Sequence, residues 1–152
     1  MSSHSGIITG TNAWFQKKIN LRPAKRGCHL VTDDVVQSVQ ELSKFKVGLF
    51  NVQIQHTSAS LMLNENYDPD VREDMKMYLD RIVPETLNYK HRDEGADDMP
   101  AHIKAALTNT SLNIPITDGK LNLGTWQGIW LCEHRNNGGS RKLIVTINGV
   151  LK

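Results

Sequence analysis

Cysteine is scarce in this chain: Cys28 and Cys132 are the only two in 152 residues. They stand far apart, outside any C-x-x-C or zinc-ribbon spacing, which excludes a disulfide-rich scaffold and predicts reduced thiols in a reducing compartment. Long apolar runs are also missing. No stretch approaches the ~18 apolar residues that span a bilayer, and the opening Met1-Ser2-Ser3-His4-Ser5-Gly6 has no basic segment followed by an apolar one. The expectation is a soluble, cytoplasmic protein without a membrane partner. Neither sign of charge dominates, since the formal net charge is +2, too small to imply nucleic acid. The chain also lacks internal repeats, low-complexity runs, linkers and short metal motifs of the H-x-x-x-H kind.

What is present has the composition of an ordinary globular protein, 39% hydrophobic and 22% charged. The length fits one domain over residues 1–152 and falls well short of the roughly 250 residues of a (β/α)₈ barrel.

Reactive side chains are densest from Tyr89 to Lys104, Y-K-H-R-D-E-G-A-D-D-M-P-A-H-I-K. This stretch holds His91 and His102 with Asp93, Glu94, Asp97 and Asp98, then the apolar-periodic Ile103, Ala106 and Leu107. It reads as a loop followed by a helix. Asp97 or Asp98 suits the N-cap, with Asp98 preferred, and Pro100 suits the first turn, where its missing N–H costs nothing. The two histidines are candidate metal ligands by residue type.

Upstream, residues from about Thr11 to Leu21 carry Trp14, Phe15, Ile19 and Leu21 among polar neighbours, and R-P-A-K-R-G separates them from a short strand, His29 to Val31. The expectation is an N-terminal hairpin. Thr32-Asp33-Asp34 supplies a cap and first-turn acids for a helix with Val35, Val39 and Leu42 on one face. From Val47 the period changes to two, with Phe50, Val52, Ile54 and His56 sharing a face. His56 thus ends an apolar face as either a core or a pocket residue. Thr57-Ser58-Ala59-Ser60 after it fits a phosphate-holding run or a hydroxyl-stabilised turn. Asn64-Glu65-Asn66 precedes a helix opened by Asp68-Pro69, with Val71, Met75, Tyr78 and Ile82 as its apolar stripe; capping uses at most one of those three polar side chains.

Asn109 follows the next helix at a position expected to be left-handed. Two hairpins are expected after it, one around Thr117-Asp118-Gly119 and one around Asn136 to Ser140, joined through Leu123-Gly124-Thr125-Trp126-Gln127. In that joint Trp126 is either a buried core residue or a stacking wall. Glu133 and His134 alternate to opposite faces. Hairpins alternating with helices, without a βαβ series, predict an α+β fold: a mostly antiparallel sheet packed against about three helices.

Four segments together carry a resemblance: H-T-S-A-S-L from His56, N-E-N-x-D-P from Asn64, the Tyr89 to Lys104 stretch, and I-P-I-T-D-G-x-L-x-L-G-T-W-Q-G-I from Ile114. They closely resemble the YjbQ-like family, also described as secondary thiamine-phosphate synthases, and the resemblance covers essentially the whole chain. It implies an α+β domain assembled as a homotrimer with polar pockets near subunit boundaries. The activity implied is weak thiamine-phosphate synthesis, joining hydroxymethylpyrimidine diphosphate to a thiazole phosphate with loss of pyrophosphate. Where the family leads one to expect Gly after the A-H-I-K helix, this chain has Asn109.

Carried onto these positions, the activity requires neutralising the departing pyrophosphate and sheltering a pyrimidinyl-methyl cation. Magnesium on Glu65, Asp97 or Asp98 is the expected device. His56, His91, His102 and Gln127 then contact phosphate or pyrimidine, Trp126 stacks, and Thr57, Ser58, Asn66, Gly124 and Thr125 complete the substrate-binding set. A competing assignment uses His91 and His102 with His56 or His134, or with Asp97, to hold zinc or another transition metal and activate water in a hydrolase of a small phosphorylated or acyl substrate. A third reading is a metabolite-binding protein without catalysis. In each the expected partner is a small, phosphorylated metabolite.

Overall fold

Period-two alternation of large apolar residues makes long strands here, and the long strands make one sheet. In the computed structural model, which describes residues 6–152, β3 (Phe45–Ile54) buries Phe50, Val52 and Ile54. Beside it β8 (Lys142–Leu151) buries Leu143, Val145 and Ile147. With β1 (Asn12–Asn20), β5 (Ser111–Thr117) and β6 (Lys120–Leu121) they form a five-stranded antiparallel sheet ordered β1-β8-β3-β5-β6. A second antiparallel sheet, ordered β2-β7-β4, contains β2 (Gly27–Leu30), β7 (Gln127–Glu133) and β4 (Ala59–Glu65).

The core lies between the sheets. Phe50, Ile114 and Ile147 from the large sheet cluster with Ala59, Leu61, Ile129 and Leu131 from the small one. Each such large side chain contributes about 1.5–3 kcal/mol relative to exposure. Residues of the other parity on the small sheet, Ser60, Trp130 and Cys132, are fully buried outside that cluster. They are covered by α2 (Pro69–Ile82), which packs on β2, and α3 (Asp98–Leu107), which packs on β4. The result is three layers: large sheet, small sheet, helices. A shorter helix, α1 (Thr32–Ser38), brings Val35 into the core between the sheets.

The α+β class with helices on antiparallel sheets is as the sequence predicts, but the single sheet is two. Neither the N-terminal hairpin nor the last one forms. β1 pairs with β8 while β2 pairs with β7, so the segment through Pro23 crosses between sheets. β7 and β8 likewise lie in different sheets, because the β7 ladder ends where Glu133 is buried against Arg141. Only the Asp118-Gly119 hairpin forms as expected; φ is 49° and 78° at those residues, the doubly positive turn that matches strand twist.

The first helix stops at Val39 (φ −126°, ψ 72°) and a 3₁₀ turn, Gln40–Lys44, carries Leu42 into the core instead. Thr32 does not cap it; its hydroxyl accepts from the Ile129 N–H. The stripe expected on α2 is only partly used, with Tyr78 55% and Ile82 45% exposed and Leu79 buried in their place. This helix rests on a four-residue strand, too narrow to cover the whole stripe. Asn109 is not left-handed: the chain leaves α3 through an extended Thr108, and the Asn109 carbonyl accepts from Leu61 N–H at 2.7 Å. Among the described residues no helix is long and apolar enough to cross a membrane.

Candidate functional site

The loop before α3 and the first turns of α3 build a cluster around one carboxylate. Asp98 has a side chain only 2% exposed, and it is not a cap: Oδ2 lies 2.8 Å from His91 Nε2 and 3.2 Å from His102 Nε2. Four-residue helical spacing places His102 on the same face as Asp98. A turn at Gly95, where φ is 107°, brings the preceding loop and His91 back to the helix start. Asp97 holds the N-cap position without a capping bond. Its carboxylate instead accepts from Arg135 Nε at 3.0 Å and from Asn136 N–H at 2.8 Å.

Arg135 spans both acids, since its Nη1 also donates to Asp98 Oδ1. Burial pushes the Asp98 carboxyl upward, but hydrogen bonding with His91 and Glu94 and the charges of His102 and Arg135 hold it below the ordinary carboxylate range. Asp97 is held low in the same way, against its burial, by Asn136 and Arg135. Both acids are therefore anionic at neutral pH.

A further bond fixes the ring of His102. Its Nδ1 lies 2.8 Å from the Thr57 carbonyl, which can only accept, so Nδ1 carries a proton and Nε2 is the ring atom left to face Asp98. Nε2 lies 3.2 Å from a carboxylate oxygen, and such a pair needs a proton or a cation between the two atoms. One ligand atom from each of His91, Asp98 and His102 falls within 4.8 Å of the others, so the three can hold a metal ion. The histidine side chains stay open, 48% exposed at His91 and 29% at His102, leaving a free approach on their side. A cavity of about 230 Å³ lies there, lined by Tyr89, His91, Arg92, Met99 and Pro100 among others.

The remaining expected site residues lie elsewhere. His56 lies two residues past the end of β3, its Nε2 accepting from Lys142 N–H at 2.8 Å; its pKa is lowered by burial and by the charges of Arg141 and Lys142. The Ser58 hydroxyl and carbonyl oxygens both accept from Arg141 Nη2. His134 is buried against the Ser60 hydroxyl at 2.9 Å and takes no part in the cluster. Glu65 accepts from the Tyr67 and Asp68 N–H groups, which shapes the turn into α2. Asn66 donates to the carbonyls of Thr125 and Gln127, and Gly124 N–H donates to Gln127 Oε1. Trp126 is 62% exposed, edge-on to Tyr67; the buried tryptophan of this region is Trp130.

Two groups result, one at each end of β4. Thr57 precedes the strand and Glu65 ends it, and the strand between them is roughly 20 Å long at the rise of an extended chain. Asn66 and Gln127 line a cleft of about 500 Å³ with Arg22, Leu30, Thr32 and Asp34. Sequence reasoning missed Arg135, although two adjacent acids entering a helix signal the need for a cation between them. Arg22 and Thr32 had no comparable signal.

Three layers of two antiparallel sheets and a helix pair, with a histidine–carboxylate cluster at a helix start, define the class of protein. The chain belongs to the family described as "UPF0047 protein YjbQ-like", whose profile matches residues 17–150. It is 51% identical over 136 residues to the UPF0047 protein YjbQ of Escherichia coli O157:H7, covering 90% of this chain and 99% of that one. A UPF0047 protein of Synechocystis sp. is 50% identical over 115 residues, covering 75% and 78% respectively. Among solved structures, a YbjQ-like protein from Sulfolobus solfataricus P2 superposes with a TM-score of 0.80 at 26% identity, over 91% of this chain and 99% of that one. An uncharacterised conserved protein of the same family from Clostridium acetobutylicum gives 0.71 at 36% identity, over 89% and 98%.

Proposed function

We propose that this chain is a metal-dependent hydrolase of a small phosphorylated or acyl substrate, using a divalent transition metal held by His91, Asp98 and His102. The observation that carries this reading is the His102 Nδ1 bond to the Thr57 carbonyl, the backbone anchoring typical of metal-ligating histidine. Two imidazoles and one carboxylate favour zinc or a similar ion over magnesium, which prefers oxygen. When bound, such an ion supplies Lewis acidity toward a phosphoryl or carbonyl oxygen and lowers the pKa of water. Arg135 fixes the Asp98 carboxylate, and Arg92 at the neighbouring cavity offers a cation to an anionic substrate.

The test has two arms. Elemental analysis of protein purified without chelator is expected to find about one transition-metal equivalent per chain, as a single three-ligand site requires. Metal-replete protein is expected to turn over p-nitrophenyl phosphate or p-nitrophenyl acetate, with loss on chelation and in His91→Ala. Protein that carries no metal, and gains neither metal nor turnover when zinc, manganese or cobalt is added, would overturn the reading.

A second reading, thiamine-phosphate synthesis, is supported by the cleft of about 500 Å³ that Asn66 and Gln127 line. It needs subunit contacts to bring that cleft beside His91 and His102 of another copy, so it goes with the homotrimer and an intracellular setting. Glu65 accepts from the Tyr67 and Asp68 N–H groups and Asp97 Oδ2 accepts from Arg135 and Asn136, so both carboxylates are already engaged by protein donors that a magnesium ion would have to share. Pyrophosphate release from the two precursors, abolished by Gln127→Ala, is its test. A metabolite retained through purification and never converted would instead support a binding protein.

A further inference from the structure

The two cysteines, more than a hundred residues apart in sequence, are direct partners in the fold: Cys28 on β2 stands opposite Cys132 on β7. The parity of the ladder fixes their geometry. Val31 N–H donates to Ile129 O at 2.9 Å, and the Ile129 N–H on the same side is taken by the Thr32 hydroxyl, so Val31 and Ile129 stand at a hydrogen-bonding position of the ladder. Pairs alternate along antiparallel strands, and Cys28 lies three steps back, so Cys28 and Cys132 form a non-hydrogen-bonded pair. Such pairs hold their Cα atoms about 4.5 Å apart with side chains on one face, inside the ~4.4–6.8 Å range that a disulfide bridges. Both cysteines are free thiols in this structure.

The two thiols are not equivalent. Cys132 is fully buried, whereas Cys28 is partly exposed on the edge strand, beside a crevice also lined by Lys76 and Lys104. Arg72 nearby has a buried Nη1 without a hydrogen-bond partner among the described residues. The hydrogen bond with Cys132 lowers the Cys28 pKa, and the Arg72 and Lys76 charges act in the same direction against the effect of burial. Cys132 is raised by the same pairing and by its burial. One thiol is thus disposed to attack, and the other is covered and waiting beside it.

We infer that Cys28 and Cys132 are a redox pair in which Cys28 reacts with a hydroperoxide and Cys132 closes a disulfide across β2 and β7. In the first step the Cys28 thiolate sulfur bonds to the terminal peroxide oxygen, the O–O bond breaks, and the alcohol or water leaves after protonation. Cys28 is then a sulfenic acid. In the second step the Cys132 thiol gives up its proton, its sulfur bonds to the Cys28 sulfur, and water departs. Two thiols have lost two electrons and two protons, and the hydroperoxide has been reduced to an alcohol and water. The product ties β2, otherwise a short edge strand, covalently to the centre of the small sheet. Leu30 at the far end of β2, with Thr32 just beyond it at the start of α1, lines the cleft of about 500 Å³, so the bond also fixes one wall of that cleft.

The experiment treats the whole chain with hydrogen peroxide and reads intact mass and peptide linkage. The expected result is a loss of about 2 Da, a linked pair of peptides containing Cys28 and Cys132, and full reversal by dithiothreitol. Amide exchange at residues 27–30 is expected to slow in the oxidised protein. Cys132→Ala should stop at the sulfenic acid, trapped on Cys28 by dimedone, and Cys28→Ser should not react. A gain of about 16 or 32 Da without linkage, covalent dimers, or no change under excess peroxide would each overturn the inference. The wild-type mass alone decides it if either variant folds poorly.

Discussion

His102 is bonded through Nδ1 to the carbonyl of Thr57 at 2.8 Å, and this bond decides which ring nitrogen is left to meet Asp98. Because the acceptor is backbone, it cannot be removed by substitution, and the ring orientation is built into the approach of α3 to the start of β4. In the proposed metal site, His102→Ala removes a ligand atom, not merely its support. The expected loss of zinc or cobalt affinity exceeds the roughly 10–100-fold cost of removing a supporting partner. Calorimetric titration of the metal-free protein measures it, and unchanged affinity would remove His102 from the site.

Arg135 provides the supporting-partner case. Its guanidinium spans Asp97 and Asp98 and also reaches the Glu94 carbonyl at 3.0 Å, holding the loop and the helix start together. Arg135→Ala is expected to lower metal affinity by about 10–100-fold while leaving stoichiometry unchanged. Arg135→Lys, which keeps charge but loses the fork, should fall between the two. Equal affinity in all three proteins would show that Asp98 is oriented by the histidines alone.

The strands and helices were legible in the sequence because periodicity of two or about 3.6 is a local property; the Phe50-Val52-Ile54 face is the clearest case. Assignment of strands to sheets was not. Nothing local in Cys28 or Leu143 tells which neighbour each strand will meet, so two expected hairpins opened into links between sheets. The site was half legible. His91 and His102 stood out by residue type, but Asp97 and Asp98 both look like caps, and only the distant Arg135 sorts them. Glu65 and Asn66 looked like ligands because a turn that uses both of their side chains is invisible before the chain is folded.

Gly138 gives a purely steric test of the link between the sheets. A Cβ there would lie 2.2 Å from Glu133 Oε1, and that carboxylate cannot move aside, because Arg141 binds it from Nε at 2.7 Å and Nη2 at 2.6 Å. Gly138→Ala is therefore expected to cost about 1–3 kcal/mol in urea denaturation, the usual penalty for overpacking. At Gly139 a Cβ meets nothing within 4 Å, but φ is 71°. Gly139→Ala should cost only the left-handed backbone penalty, about 1–2 kcal/mol.

His134 predicts how stability depends on pH. Burial first, then the charges of Lys104 and Arg141, push its pKa down to about 3 from an ordinary 6.5, so the folded protein keeps this ring neutral. The unfolded chain binds a proton there below pH 6.5 and the folded chain does not. Stability is therefore complete above that pH and falls by about 1.4 kcal/mol for each unit of acidification down toward the folded value. Asp80, Asp97 and Asp98 also have lowered folded pKa values, but from 3.8, so their contribution is lost only below that pH. His56 titrates in the same direction as His134 but is far more exposed, and screening makes its share small. The interval from pH 6.5 to about 4 thus isolates His134. Unfolding free energies from urea titrations at pH 7 and pH 5 should differ by about 2 kcal/mol in the wild type, and His134→Gln, which can keep a bond to the Ser60 hydroxyl, should flatten that difference. An undiminished slope in the variant would show that His134 takes up its proton in the folded state.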